Sequence, residues 1–258
     1  MSEIINRPIV NTFGRFGANG VKVELPSDIK VSELIVEEGQ SRIVTLEDVS
    51  YKLNATVKAG GTLELVQLHE DESLLINDVK VTCEKGATFK WYRAILGGSG
   101  EASSYDNCSV YLNGDDSSFE AYVGYRLGGK ENYDGNVEAI HYGKNTESKI
   151  TASGVLADDA RKMLKSTIDF RTGCKGAVGE ETEDVLLMNE TVRNRSVPMI
   201  LCGEEDVQGE HGATIGRLDE NLVYYLESRG MEHEKVYEMM AEAKLNTVLR
   251  RIPDHELE

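Results

Sequence analysis

The stretch FEAYVGYRLGGKENYDGNVEAIH, residues 119–141, decides the fold class. Phe119, Ala121, Val123, Tyr125 and Leu127 alternate with other residues, and Val137, Ala139 and His141 resume the alternation after a gap rich in Gly, Asn and Asp. A period of two puts one set of side chains on the buried face of a strand. Working outward, the same rhythm runs from about Val21 to about Cys202, with Val79, Val81 and Cys83 as another clear example. Turn-forming clusters separate the runs: AGG at 59–61, LGGSG at 96–100, NGDD at 113–116 and LGGKENYDG at 127–135. Only four prolines occur, and none falls between Ser27 and Val197. Many short strands in series suit a sandwich, a barrel or a β-helix. Tight Asn-Gly hairpin signals are few and the gaps are irregular, which favours the β-helix, although no strict repeat is visible.

The end of the chain changes period. Asp219 is placed to cap a helix carrying Leu222, Val223, Tyr225 and Leu226, with Gly230 as its stop. A second helix is expected from about Glu234 to Arg251. Val236, Met239, Met240, Ala243 and Val248 form its stripe, and Pro253 ends it. Such a pair packs on the β body or on a partner. The expected organisation is an extension over 1–20, a β core over 21–215 and a helical segment over 216–258.

The 258 residues are 40% hydrophobic, enough for a sizeable core. A net charge of −17 argues against nucleic acid and anionic membrane as bare partners. No run of eighteen apolar residues exists, and the N-terminus lacks a basic-then-apolar leader pattern, so a cytoplasmic location is expected. Cys83, Cys108, Cys174 and Cys202 form no C-x-x-C pair. Cys83, Cys108 and Cys202 sit in apolar strand patterns and read as core residues. Cys174, between Arg171 and Lys175, is either a small turn residue or a thiol activated by nearby positive charge. No phosphate-binding glycine loop is present, so no nucleotide is expected on this chain.

Two groups carry candidate chemistry. Glu210 and His211 offer a carboxylate and an imidazole, suitable for iron or zinc or for proton transfer. Glu180-Glu181-Thr182-Glu183-Asp184 precedes the apolar Val185–Met188. In a strand, Glu181 and Glu183 share a face. Acid runs of this kind are ordinarily solvated, and His141, alternating with Val137 and Ala139, reads as a core or corner histidine.

Taken together, IHYGKNTESKITASGVL (140–156), the block from Asp169 to Gly230, and the closing helices ending in LRRIPDHELE resemble the SufB/SufD family of iron–sulfur cluster assembly scaffolds. The first looks like the family's His-x-Gly-x-Asn-Thr-x-Ser segment. The resemblance is strongest from about residue 100 onward. It implies a mainly β fold: a right-handed parallel β-helix followed by a small C-terminal helical segment. Family members commonly carry an N-terminal helical region, for which this sequence has little room.

The resemblance further implies a scaffold without turnover of its own. Its partners would be a SufC-type ABC ATPase, docked on the helices, and a SufB-type paralogue or a second copy of the chain. A transient iron–sulfur cluster or iron would be the cargo. His211 matches the interface histidine of both SufB and SufD, and Glu210 the acidic residue before it in SufB. Counting through Val197-Pro198, the essential SufB cysteine falls at Glu183, and Gly212 stands where SufB has another glutamate. Both departures are SufD-like; in a minimal system working as a homodimer, His211, Glu183 and Glu210 from two copies would be the oxygen and nitrogen donor set, with any thiolate from elsewhere. Cys108 is offset by two residues from SufB's sulfur-receiving cysteine and is given no such role. The competing reading is a carbohydrate-active β-helix enzyme using Glu181 and Glu183.

Overall fold

The computed structural model describes residues 2–5, 21–24, 30–70, 74–97, 100–101 and 103–253. Apart from residues 2–5, the expected N-terminal extension lies outside these, as do residues 254–258. Strands β1 (Ser2–Ile5) and β2 (Val21–Glu24) form an antiparallel pair. The body follows as β3 (Lys30–Val36), β4 (Ser41–Glu47), β5 (Tyr51–Val57), β6 (Thr62–His69), β7 (Leu75–Cys83), β8 (Thr88–Ile95) and β9 (Ser103–Leu112). It continues with β10 (Ser118–Leu127), β11 (Asn132–His141), β12 (Glu147–Leu156), β13 (Arg161–Phe170), β14 (Ala177–Leu187), β15 (Arg193–Cys202) and β16 (Val207–Gly216). Helices α1 (Glu220–Ser228) and α2 (His233–Leu249) close it.

Odd-numbered strands from β3 to β15 make one seven-stranded parallel sheet, and even-numbered strands from β4 to β16 make the other. Each strand crosses to the opposite sheet before the next, so the chain winds as a parallel β-helix. Parallel register stacks like upon like. Leu53, Val79, Cys108 and Val137 form one inward column, and Leu63, Phe89 and Phe119 another. The Phe89 and Phe119 rings stack with centroids 5.5 Å apart.

One corner is built the same way on every coil. The backbone N–H groups of Gly39, Gly60, Gly86, Asp116, Asn145 and Gly176 each donate to a carbonyl of the next coil at 2.7–3.0 Å. All six residues have positive φ, which explains the Gly, Asn and Asp found there. The lumen beside this corner is apolar. Toward the opposite corner it is polar: Arg93 Nε pairs with Asp106 at 2.7 Å, Arg93 Nη2 donates to Ser104 at 2.8 Å, and Asn77 donates to Asp106 at 2.8 Å, all fully enclosed.

Several expectations need correcting. The turn cluster at 127–135 is shorter than its composition suggests, because Gly135 lies inside β11. A Cβ there would meet the Tyr133 hydroxyl at 2.6 Å, so this glycine makes room inside the lumen. Cys202 is exposed rather than core, because its strand belongs to the last coil and nothing stacks beyond it. Cys83, Cys108 and Cys174 are buried, and burial pushes the Cys174 thiol up despite its basic neighbours. The acid run is not solvated throughout: Glu181 and Glu183 face the lumen and are 3% and 4% exposed.

The helices start and stop close to where the sequence places them. Asp219 caps α1 by accepting from the Asn221 backbone N–H at 2.8 Å, and Gly230 follows with φ +91. The buried stripe of α2 is Val236, Ala241, Leu245 and Val248; Met239 and Ala243 face outward. The helix lies on the outer face of β10, β12 and β14, with Leu245 and Ala241 on Val155 and Leu186, and Val248 on Tyr92 and Tyr122. Lys244 pairs with Asp184, and its carbonyl accepts from Ser153 Oγ at 2.9 Å.

Candidate functional site

Period-two alternation fixes which residues look into the lumen. On β14 these are Ala177, Gly179, Glu181, Glu183 and Val185, and on β16 their register partners are Val207, Gly209, His211, Ala213 and Ile215. His211 therefore occupies the same column as Glu181, one coil further out. Glu210 points the other way and continues the outer row Glu64, Lys90, Glu120, Lys149 and Glu180. Charges alternate along that row, and Lys149 Nζ holds Glu180 at 2.9 Å. At Glu210 the alternation breaks, leaving two acids side by side.

The last coil, like the first (β3 and β4), closes an end of both sheets and is more exposed than the coils between them. Inner coils are covered on both sides, whereas β15 and β16 each have one neighbouring strand. His211 and Glu210 are exposed accordingly. Directly behind them lies a buried polar cluster. Lys162 reaches across the lumen from β13 to pair with Glu183, and its Nζ also donates to Ser196 Oγ at 3.1 Å. The Tyr125 hydroxyl donates to Glu183 Oε1 at 3.0 Å, and Lys162 lies 5.4 Å from the Tyr125 ring centre. Burial pushes the Lys162 ammonium down, against the pull of Glu183.

Glu181 is placed differently. Ser166 Oγ donates to its Oε1 at 2.9 Å, while Oε2 has no hydrogen-bond partner among the described residues. Burial raises this carboxyl to about 7, with the nearby Glu183 charge adding to the rise and the Ser166 bond and Lys162 opposing it. An enclosed carboxylate oxygen without a partner is costly and marks a position for a proton or a cation.

The structure thus brings His211, Glu183 and Glu181 to one end of the lumen and leaves Glu210 on the rim outside. Sequence reasoning had placed Glu181 and Glu183 on one face but gave the site only Glu183. The missing signal was register: Glu181 sits under His211 only because the last turn spans thirty residues, as the pairing of Glu181 with His211 shows. Among the described residues no three His, Cys, Asp or Glu side chains converge to hold a metal ion. At this end His211 and Glu181, which are register partners, offer an imidazole nitrogen and a carboxylate oxygen, donor types that suit first-row divalent ions better than a thiolate-ligated cluster. Cys202 adds an exposed thiol to the same coil, but it ends β15 at the corner, while His211 lies in the middle of β16.

The segment His141–Ser148 serves the fold. His141 is fully buried, its Nδ1 2.7 Å from Thr146 Oγ1 and its Nε2 2.9 Å from Ser148 Oγ. Burial lowers its pKa to about 4, so it is neutral at physiological pH. Asn145 supplies the left-handed turn with φ 53, and a Cβ on Gly143 would meet the Gly114 carbonyl oxygen at 2.3 Å. The motif locks a corner between coils.

Comparison with known proteins agrees with this architecture. The model of the SufBD core domain of the SUF iron–sulfur cluster assembly system matches residues 11–244. The chloroplastic iron–sulfur cluster assembly SufBD family protein ABCI8 of Arabidopsis thaliana is 28% identical over 156 residues, covering 60% of this chain and 28% of that protein. The iron–sulfur cluster assembly protein SufD of Bacillus subtilis is 27% identical over 169 residues, covering 66% of this chain and 38% of SufD. SufB of the same organism is 24% identical over 200 residues, covering 76% and 42%. The matched part is thus less than half the length of each of these relatives. With the family model spanning nearly the whole β-helix and most of the helical end, the chain belongs to the SufBD family of iron–sulfur cluster assembly proteins.

Proposed function

We infer that this chain is a scaffold subunit without turnover of its own. Its last coil pairs with a second SufB/SufD-type subunit, either a paralogue or another copy. Helices α1 and α2 dock a SufC-type ATPase, and nascent clusters or iron pass through the junction of the two scaffolds. The observation that carries this reading is the open end of the β-helix. Strands β15 and β16 end both sheets, and His211 is exposed there on the lumen-facing side. Unpaired backbone along two edge strands is a template for pairing with another chain. The helical end supports the second contact, since Leu222, Tyr224 and Tyr225 are exposed on α1.

The carbohydrate-enzyme reading needs two carboxylates flanking an open cleft. Glu181 and Glu183 are enclosed in the lumen, and Glu183 is committed to Lys162. That geometry favours the scaffold. Among the described residues no helix is long and apolar enough to cross a membrane.

Anaerobic reconstitution tests the proposal. The chain is purified with its ATPase, supplied with Fe²⁺ and sulfide, and followed by absorption beside the His211→Ala variant. The expected result is a cluster spectrum for the parent and its loss in the variant, with ATPase binding retained. Equal cluster formation by both would remove His211 from the site.

A further inference from the structure

We propose that Glu181 is the carboxylate that joins His211 in receiving a first-row divalent cation at the open end of the lumen. This rests on the scaffold reading and specifies its ligand set. Three carboxylates lie near His211, and the structure distinguishes them.

Glu210 adjoins His211 in sequence but points to the opposite side of the strand, beside Glu180. Glu183 is inward but occupied, because Lys162 and Tyr125 both bond to its Oε1. Drawing it to a metal would strand a buried lysine charge. Glu181 faces the lumen in the same column as His211, with the two strands about 4.8 Å apart as paired strands are. Its Oε2 is enclosed, unpartnered among the described residues, and the carboxylate is held from the far side by Ser166. The inward neighbours of His211 on its own strand are Gly209 and Ala213, neither of which brings a competing polar group, while His211 itself is exposed.

A nitrogen and a carboxylate oxygen from one chain leave an incomplete coordination sphere. Water or the second scaffold subunit would fill it. Such a site suits Fe²⁺, Co²⁺ or Zn²⁺ and gives a transient hold, as a loading position requires.

The test is anaerobic titration of the full chain with Co²⁺, read by its visible absorption, and with Fe²⁺, read by calorimetry. Four proteins are compared: parent, His211→Ala, Glu181→Gln and Glu210→Gln. Glutamine keeps the acceptor for Ser166, and circular dichroism checks that each variant is folded. The expected result is at least a tenfold loss of affinity in His211→Ala and in Glu181→Gln, with Glu210→Gln close to the parent. Parent-like binding by Glu181→Gln beside loss in His211→Ala would overturn the role of Glu181 and leave the scaffold site standing. Parent-like binding by both would overturn metal loading at this end altogether. The reconstitution with His211→Ala would then decide the scaffold reading separately.

Discussion

Lys162 and Glu183 form an ion pair inside the lumen, one from each sheet, with side chains 0% and 2% exposed. Neither charge reaches water, so each depends on the other. Lys162→Met leaves Glu183 with only Tyr125 and is expected to cost about 3–5 kcal/mol in urea unfolding. Lys162→Met combined with Glu183→Leu fills similar volume without charge and should recover most of that loss. Additive destabilisation in the double variant would show that the two residues act independently.

His141 makes stability depend on pH. Its folded pKa is near 4, below the ordinary value of 6.5, because burial disfavours the imidazolium. A depressed pKa means that the unfolded chain binds the proton more readily. The contribution is therefore complete above about pH 6.5 and is lost as pH falls toward 4. Between pH 7.5 and 5 the loss from this residue is about 2 kcal/mol. Urea midpoints for the parent and for His141→Gln, which stays neutral, should converge as pH falls. Parallel curves would mean that His141 does not titrate between the two states.

Gly154 and Tyr125 are register partners on β12 and β10, and a Cβ on Gly154 would lie 1.9 Å from the Tyr125 ring. Gly154→Ala must push the ring aside, and with it the hydroxyl that donates to Glu183. The expected cost is about 2–3 kcal/mol, as for overpacking elsewhere. Tyr125→Leu removes the ring, so adding Gly154→Ala to that variant should cost far less. An equal cost in both backgrounds would place the conflict in the backbone.

The alternation in 119–127 and 137–141 made the inward columns legible, because a lumen closed on both sides buries every second residue without exception. The coil repeat was not legible. Partners on adjacent coils are 21 and 26 residues apart at first, 29 on three successive steps from β7 to β13, and 32 on the last step to β15, so a period holds only over the middle coils and drifts at both ends. Register was invisible for the same reason, and with it the stacking of Glu181 under His211. Composition misjudged Cys202 and Glu183 in opposite directions. An apolar pattern does not reveal that a strand ends its sheet, and an acid run does not reveal a lysine waiting on the facing sheet. The stripe of α2 was legible in part: Val236, Met240 and Val248 pack inward as expected, whereas Ala241 and Leu245 take the places expected of Met239 and Ala243, because the helix meets the relief of Val155, Leu186 and Tyr122 on the sheet.

Helix α1 is anchored by Val223 alone among its buried residues, while Tyr224 and Tyr225 are 74% and 52% exposed and Leu222 is 38% exposed. Aromatic residues left in water on a short, lightly held helix suit a docking surface better than a fold. Tyr225 is in addition covered by the Arg229 guanidinium at 5.1 Å, which holds the ring in place without burying it. Replacing Tyr224 and Tyr225 together by Ser removes apolar surface that the chain itself does not bury. Stability should stay within about 0.5 kcal/mol of the parent. Under the scaffold reading, affinity for the SufC-type ATPase should fall at least tenfold, measured by calorimetry or co-purification. Cation binding at His211 should be untouched, since α1 follows the last coil but supplies none of its lumen-facing residues. Undiminished ATPase binding would exclude α1 from the docking surface and direct the search to the outward face of α2, around Met239 and Arg250.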